Sequence, residues 1–245
     1  MSRPGPSMFH ELAKYYDRIY SWKDYRGESA RLEQIAHRYG RSGGTAWLDV
    51  ACGTGRHLEF LQRRHDVIGV DLSREMLRIA RRRLPGVQLQ TGDMRTFRIP
   101  RQFDVVSCLF SAIGHLRTER DVLTAFRNFS RHLKPGGVLI VEPWIDPAKF
   151  RVGMVHMVTH DDPRLKVVRV AFSGRRGNHT VIEYHYLIAE AGRGIRHLEE
   201  VDIGLGVSAR RLVRLMEEAG LKARFVARGF TADRGLLVGT KAPYA

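Results

Sequence analysis

Leu48-Asp49-Val50-Ala51-Cys52-Gly53-Thr54-Gly55-Arg56-His57 sets two glycines between a short apolar run, 46–50, and a segment of helical period, 56–64. Glycine in such a turn permits positive φ and lets backbone N–H groups approach a ligand closely. Strand, glycine turn and helix in this order open an α/β sheet, whose ligand lies at the carboxyl ends of the strands. Outward from the turn the rhythm repeats. Further β-branched apolar runs stand at 67–71, 87–90, 103–109 and 137–142, with helical period at 73–84 and 119–133. Ser73 is placed to cap the first of these helices and Pro135-Gly136 to stop the second. Five strands in βα alternation predict a doubly wound parallel sheet. Upstream, 8–20 and 25–39 read as helices, the second with Leu32, Ile35, Ala36 and Tyr39 on one face; both are expected to cover the ligand edge.

After Trp144 the rhythm changes. Strand-like segments at 152–159, 165–173, 179–189 and 195–205, parted by Asp161-Asp162-Pro163, 174–178 and 191–194, predict an inserted antiparallel sheet. A helix over 208–219 ends at Gly220, and strands at 222–229 and 235–240 are placed to return to the main sheet as a hairpin. The expected organisation is an N-terminal helical lid over 1–40, a core over 41–145 and 206–245, and an insertion over 146–205 on the substrate or oligomer side, suited to a homodimer contact.

At 43% hydrophobic and 27% charged, the 245 residues have a globular composition that excludes disordered and fibrous classes. No apolar run approaches the roughly 18 residues of a membrane span. Met1 to Ser7 lacks the apolar stretch of a signal peptide, so a cytoplasmic protein is expected. Cys52 and Cys108 are too few for a disulfide framework or a zinc site. The net charge of +15 raises the question of a polyanionic partner. The arginines scatter, however, and the run Arg81-Arg82-Arg83 ends a helix, where cations suit the dipole, so a solvated basic surface is the favoured reading.

The third glycine of the dinucleotide fingerprint is replaced by Leu58, which points to a nucleoside cofactor without a pyrophosphate at the helix start. Asp71 ends the second strand 18 residues after Gly53, the distance at which a carboxylate accepts from ribose hydroxyls. Gly92-Asp93-Met94 follows the third strand with a carboxylate and a thioether suited to adenine. Together with Val70-Asp71-Leu72-Ser73 and Leu133-Lys134-Pro135-Gly136-Gly137, these stretches resemble the class I S-adenosylmethionine-dependent methyltransferases. The resemblance implies a Rossmann-like core in which Gly53 and Gly55 pack on the methionine part of the cofactor, Asp71 holds the ribose, and Asp93 and Met94 hold the adenine. Tyr20, Tyr25, Asp49, Ala51, Cys52, Arg56, Leu72, Met76 and Leu109 complete the candidate cofactor set, and no metal is expected.

A further resemblance covers most of the chain: Tyr16-Asp17, Lys23-Asp24-Tyr25, 108–116, Val141-Glu142-Pro143-Trp144, 177–186, 192–197 and Arg234-Gly235-Leu236 are similar to the N,N-dimethyltransferases of TDP-linked amino sugars. Ile145 replaces a second aromatic usual after the Pro-Trp of that family, and the tail after 204 diverges. The resemblance implies methyl transfer to an amine of a nucleotide-linked sugar and sets Tyr16 at the reaction centre. His115, six residues past Leu109 and leaving the fourth strand at the ligand edge, is a candidate base or orienting group, since a primary ammonium must lose a proton before attack. Trp144 is a candidate pocket wall, and Arg175, Arg176 and Arg234 candidate diphosphate ligands. Along the insertion, no spacing of its histidines with a carboxylate reads as a metal site. Two other readings stay open: methylation of another small metabolite, and an RNA- or DNA-binding methyltransferase or adaptor, the latter without an Asn/Asp-Pro-Pro-Tyr/Phe tetrapeptide or a catalytic cysteine pair.

Overall fold

The computed structural model describes residues 8–231 and 234–243; the signal-peptide reading of Met1 to Ser7 therefore lies outside the described residues. The parallel strands are β1 (Ala46–Val50), β2 (Asp66–Asp71), β3 (Gln88–Thr91), β4 (Phe103–Cys108) and β5 (Leu133–Val141). The insertion carries β6 (Val155–Asp161), β7 (Leu165–Arg176), β8 (His179–Glu190) and β9 (Gly194–Leu205), and the chain closes with β10 (Leu221–Val226) and β11 (Leu236–Lys241). Seven strands form one sheet in the order β3-β2-β1-β4-β5-β11-β10, with β11 antiparallel to both neighbours. The remaining four form a separate antiparallel meander, β6-β7-β8-β9. Strand order reverses between β1 and β4, and the glycine turn sits at that switch point.

The helices are α1 (Tyr16–Ile19), α2 (Tyr25–Tyr39), α3 (Arg56–Leu61), α4 (Arg74–Arg83), α5 (Glu119–His132) and α6 (Ala209–Glu218). Local chemistry sets several of their starts. Asp24 accepts from Gly27 N, Ser73 from Met76 N, Thr118 from Asp121 N and Ser208 from Arg211 N, each holding an N–H that has no partner within its helix. Alternation along β1 sends Leu48 and Val50 to the face covered by Phe126, Phe129, Leu212 and Met216, and Trp47 to the face covered by Leu32, Ile35, Leu58 and Leu77. Each such side chain, once buried, contributes roughly 1.5–3 kcal/mol.

Three expectations are corrected. Residues 8–20 are not one helix: a turn leads into a 3-10 segment, Ala13–Tyr15, and the single turn of α1. Met8, Leu12, Tyr15 and Ile19 are instead gathered against Val167, Tyr186 and Ile188 of the inserted sheet, with Tyr15 Oη donating to Glu190 at 2.9 Å. Tertiary burial there overrides a helix-like spacing. The second correction concerns α2, which packs on one face of the main sheet and reaches the ligand edge only through Tyr25 in its first turn. The third concerns α5: it ends at His132, and Pro135-Gly136 falls within β5, where the pairing with β4 slips between Phe103 and Val105.

Candidate active site

The glycine turn takes three consecutive left-handed steps at odd positions: Ala51 at φ 59°, Gly53 at 55° and Gly55 at 76°. The two glycines serve different ends. A Cβ at Gly55 would come within 2.7 Å of Leu84, so this glycine lets α4 pack closely, whereas Gly53 faces open space. Asp71 accepts from Gly53 N at 2.7 Å and from Ser73 N at 2.8 Å, so it shapes the turn and retains lone pairs for hydroxyl donors. Burial pushes the Asp71 carboxyl up from its usual value. Asp49, on the same side of β1 as Trp47, accepts from Ser107 Oγ at 2.7 Å, while that hydroxyl accepts from Trp47 Nε1 at 2.9 Å. Burial pushes the Asp49 carboxyl up to about 6.

Ala51, Cys52, Thr54, Leu109 and Phe110 line a narrow cleft with Asp49, and Tyr16, Tyr25 and Arg56 close it. Cys52 is buried, and burial raises its thiol well above the usual range. The Tyr25 hydroxyl is buried without a hydrogen-bond partner among the described residues, with the Arg56 guanidinium 5.1 Å from its ring centroid. An orphaned phenol, a cation and an open glycine at one turn fit the amino-acid end of S-adenosylmethionine, whose carboxylate would satisfy them. Asp93 is held below its usual range by hydrogen bonds from Arg95, Nη2 at 2.6 Å, and Arg95 also bridges to Asp121 at 2.8 Å. Met94 is partly buried against the core, Met76 is fully buried on α4, and Leu72 is exposed beside Asp71.

The N-terminal segment is pinned to the turn by Asp17, which accepts from Thr54 Oγ1 at 2.7 Å and pairs with Arg83. That contact brings Tyr16 over the cleft, where its ring lies 4.7 Å from Tyr20 and 6.5 Å from Phe110. Burial raises the Tyr16 phenol well above its usual value. Tyr20 Oη accepts from Arg169 Nη1 at 2.8 Å; Arg169 is a buried cation of β7 that sequence reasoning did not single out. Beneath the cleft Glu28 accepts from Lys23 and lies 2.7 Å from His57 Nε2; although burial opposes it, those contacts hold the Glu28 carboxyl below its usual value.

Past β4 the chain turns through Phe110 at φ 50° and Ser111 at φ 61°, a left-handed pair unfavourable for side chains of this kind. Three contacts hold it: Phe110 N donates to Glu142 Oε2 at 2.7 Å, Ser111 Oγ donates to Pro143 O at 2.8 Å, and Arg234 Nη1 donates to Ser111 Oγ at 2.7 Å. The turn delivers His115, whose Nδ1 lies 3.1 Å from Asp202 Oδ1 of β9. Trp144 packs edge-on to His115, with centroids 5.6 Å apart, and donates from Nε1 to Thr180 Oγ1 at 2.7 Å. Arg175 stands opposite Thr180 on β7 and β8, is exposed, and donates to Pro147 O at 3.0 Å. Asp202, Glu142 and Arg169 were missed because alternation assigns a face, not a distance to another sheet.

A larger cavity of about 920 Å³ lies elsewhere, at the amino ends of β4 and β5, among Arg41, Arg98, Arg101, Arg131 and Lys134. It gathers five basic side chains at the end of the sheet opposite the glycine turn.

The fold, the turn and its strand-end carboxylates define a class I S-adenosylmethionine-dependent methyltransferase. A family described as a methyltransferase domain matches residues 48–137. The chain is 40% identical to a dTDP-3-amino-3,6-dideoxy-alpha-D-glucopyranose N,N-dimethyltransferase of Streptomyces fradiae, over 94% of this chain and 90% of that one. It superposes on the crystal structure of Streptomyces venezuelae DesVI with a TM-score of 0.88 at 36% identity, covering 96% of this chain and 99% of that one. It also superposes on S-adenosylmethionine-bound CalS10, an amino pentose methyltransferase from Micromonospora echinaspora, with a TM-score of 0.84 at 34% identity, covering 97% and 99%. The chain belongs to the family of dTDP-amino-sugar N,N-dimethyltransferases and is an S-adenosylmethionine-dependent N-methyltransferase.

Proposed function

We propose that the chain methylates the amino group of a dTDP-linked amino sugar, with His115 as the base that frees the amine lone pair. The observation that carries this reading is the His115–Asp202 pair at 3.1 Å, together with the dTDP-amino sugars on which its relatives act. Nδ1–H donated to Asp202 leaves the Nε2 lone pair free to take the ammonium proton. S-adenosylmethionine supplies an electrophilic methyl on a sulfonium centre, so the N–C bond forms as the C–S bond breaks. Trp144, Tyr16 and Phe110 wall the amine and exclude water, and orientation supplies much of the remaining acceleration. Arg234 and Arg169 are assigned to the diphosphate; Arg175, bonded to Pro147 O and about 20 Å along β7 from Arg169, is left out of that assignment.

The test is incubation of the enzyme with labelled S-adenosylmethionine, chelator, and a panel of dTDP-3-amino and dTDP-4-amino sugars. Methyl incorporation into a sugar amine without added metal is expected. Incorporation only into other amines or into RNA would overturn the sugar reading in favour of the alternatives. For self-association, we take the outward face of β6 and β7, with Val155, Met157, Val170 and Phe172 each more than two-fifths exposed, as the contact between two copies. A purely monomeric sedimentation profile at micromolar concentration would remove that contact.

A further inference from the structure

On the outward face of the inserted sheet, opposite in sense to Asp202, three ligating side chains converge. His185 of β8 stands directly across from Glu199 of β9, and His197 lies two residues before Glu199 on the same face. His185 Nδ1 is 3.1 Å from His197 Nε2, and Glu199 Oε1 is 3.6 Å from the first and 4.0 Å from the second. The ring planes are 12° apart with centroids separated by 5.3 Å, so the imidazoles meet edge to edge, nitrogen facing nitrogen. One of those nitrogens donates and the other accepts.

An ion with Zn–N and Zn–O bonds of roughly 2.0–2.2 Å in tetrahedral array holds its ligand atoms about 3.3 Å apart. The three observed separations bracket that value. Antiparallel pairing of β8 and β9 fixes the backbone of all three residues, so chelation needs only rotation of side chains that are 52%, 54% and 64% exposed. Cys52 and Cys108 are buried, with thiols raised by burial, and offer no competing thiolate.

We propose that His185, His197 and Glu199 form a surface site for a borderline divalent transition ion such as Zn²⁺, Ni²⁺ or Cu²⁺, with water in the remaining positions. Two imidazoles and one carboxylate favour such ions over Mg²⁺ and Ca²⁺, which take oxygen ligands. The ion would tie β8 to β9 on the face away from the reaction and take no part in methyl transfer.

Tag-free full-length protein is titrated calorimetrically with ZnCl₂, NiCl₂, CuCl₂ and MgCl₂ near neutral pH. One site per chain is expected, tightest for Cu²⁺ and undetectable for Mg²⁺. The His185→Ala/His197→Ala double variant should weaken Zn²⁺ binding at least about tenfold, since even outer partners of metal ligands cost that much. His37→Ala, an exposed histidine on α2, should change nothing, and unchanged turnover of a dTDP-amino sugar, which needs both sheets, shows that each variant is folded. Bound Cu²⁺ should show nitrogen hyperfine structure from two imidazoles. Zn²⁺ binding of equal strength in the double variant, no stoichiometric binding in the parent, or equal binding of Mg²⁺ would each overturn the site.

Discussion

His115 and Asp202 come from different sheets, and their roles separate by substitution. Asp202→Asn keeps the shape but disturbs the tautomer that Nδ1–H donation selects. Turnover is expected to fall in Asp202→Asn, and to fall further, by about 10²–10⁴-fold, in His115→Ala, with cofactor affinity unchanged in both. Full activity in His115→Ala on a dTDP-amino sugar would return the imidazole to a packing role. Asp49 carries a second prediction at this scale. Its carboxyl is raised from 3.8 to about 6 by burial, so the folded state binds its proton more tightly than the unfolded chain does. The stability this contributes is complete below about pH 4 and is lost as pH rises through 6, a difference of about 3 kcal/mol at most. Asp49→Asn, uncharged and still able to accept from Ser107, should melt higher than the parent at pH 8, with the gap closing toward pH 4. A gap independent of pH would show that Asp49 does not titrate in this range.

Among the elements, the turn after β4 depends most on contacts from outside itself. Glu142 Oε2 accepts the Phe110 N–H where the backbone is already left-handed. Glu142→Ala leaves that N–H without its acceptor, at a cost of about 1–3 kcal/mol, or several degrees in melting temperature for a chain of this size. The Michaelis constant for the sugar should rise with it, because Ser111, Arg234 and His115 hang on the same turn; an unchanged constant would detach the turn from substrate binding. The same elements show what a sequence makes legible. Helix α2 is readable to the residue because Asp24 caps it and its apolar residues share one face. The parallel strands are readable because burial on both faces demands β-branched runs. Leu12, Tyr15 and Ile19 mislead, since their spacing is helical while the sheet that buries them lies more than a hundred residues away. The glycine turn and the strand-end carboxylates announce a nucleoside ligand through local spacing, and the resemblance to class I methyltransferases names it. Asp202, Arg169 and the meeting of His185 with His197 and Glu199 belong to cross-strand and inter-sheet geometry; only the two-residue spacing of His197 and Glu199 is local.

At the scale of the molecule, two sheets meet over one cleft, joined by the N-terminal segment that packs Leu12, Tyr15 and Ile19 against Val167, Tyr186 and Ile188 while Asp17 holds the glycine turn. The cofactor half of the site is built on the main sheet and closed by Tyr16 and Tyr25, whereas the proton-accepting pair needs both sheets. The four-stranded meander has fewer buried apolar residues than the seven-stranded sheet and exposes much of its outer face. Regions of that kind open locally before the whole molecule unfolds. Heating should therefore abolish turnover several degrees before cofactor binding or the bulk of the secondary structure is lost, and hydrogen exchange should be faster in β6 to β9 than in β1, β4 and β5. Coincident loss of activity and binding would mean that the two sheets unfold as one. A chain with its meander loosened would keep the fold that holds the methyl donor but lose both the Asp202 partner of His115 and the Thr180 anchor of Trp144, so the stability of the smaller sheet sets the temperature ceiling of catalysis.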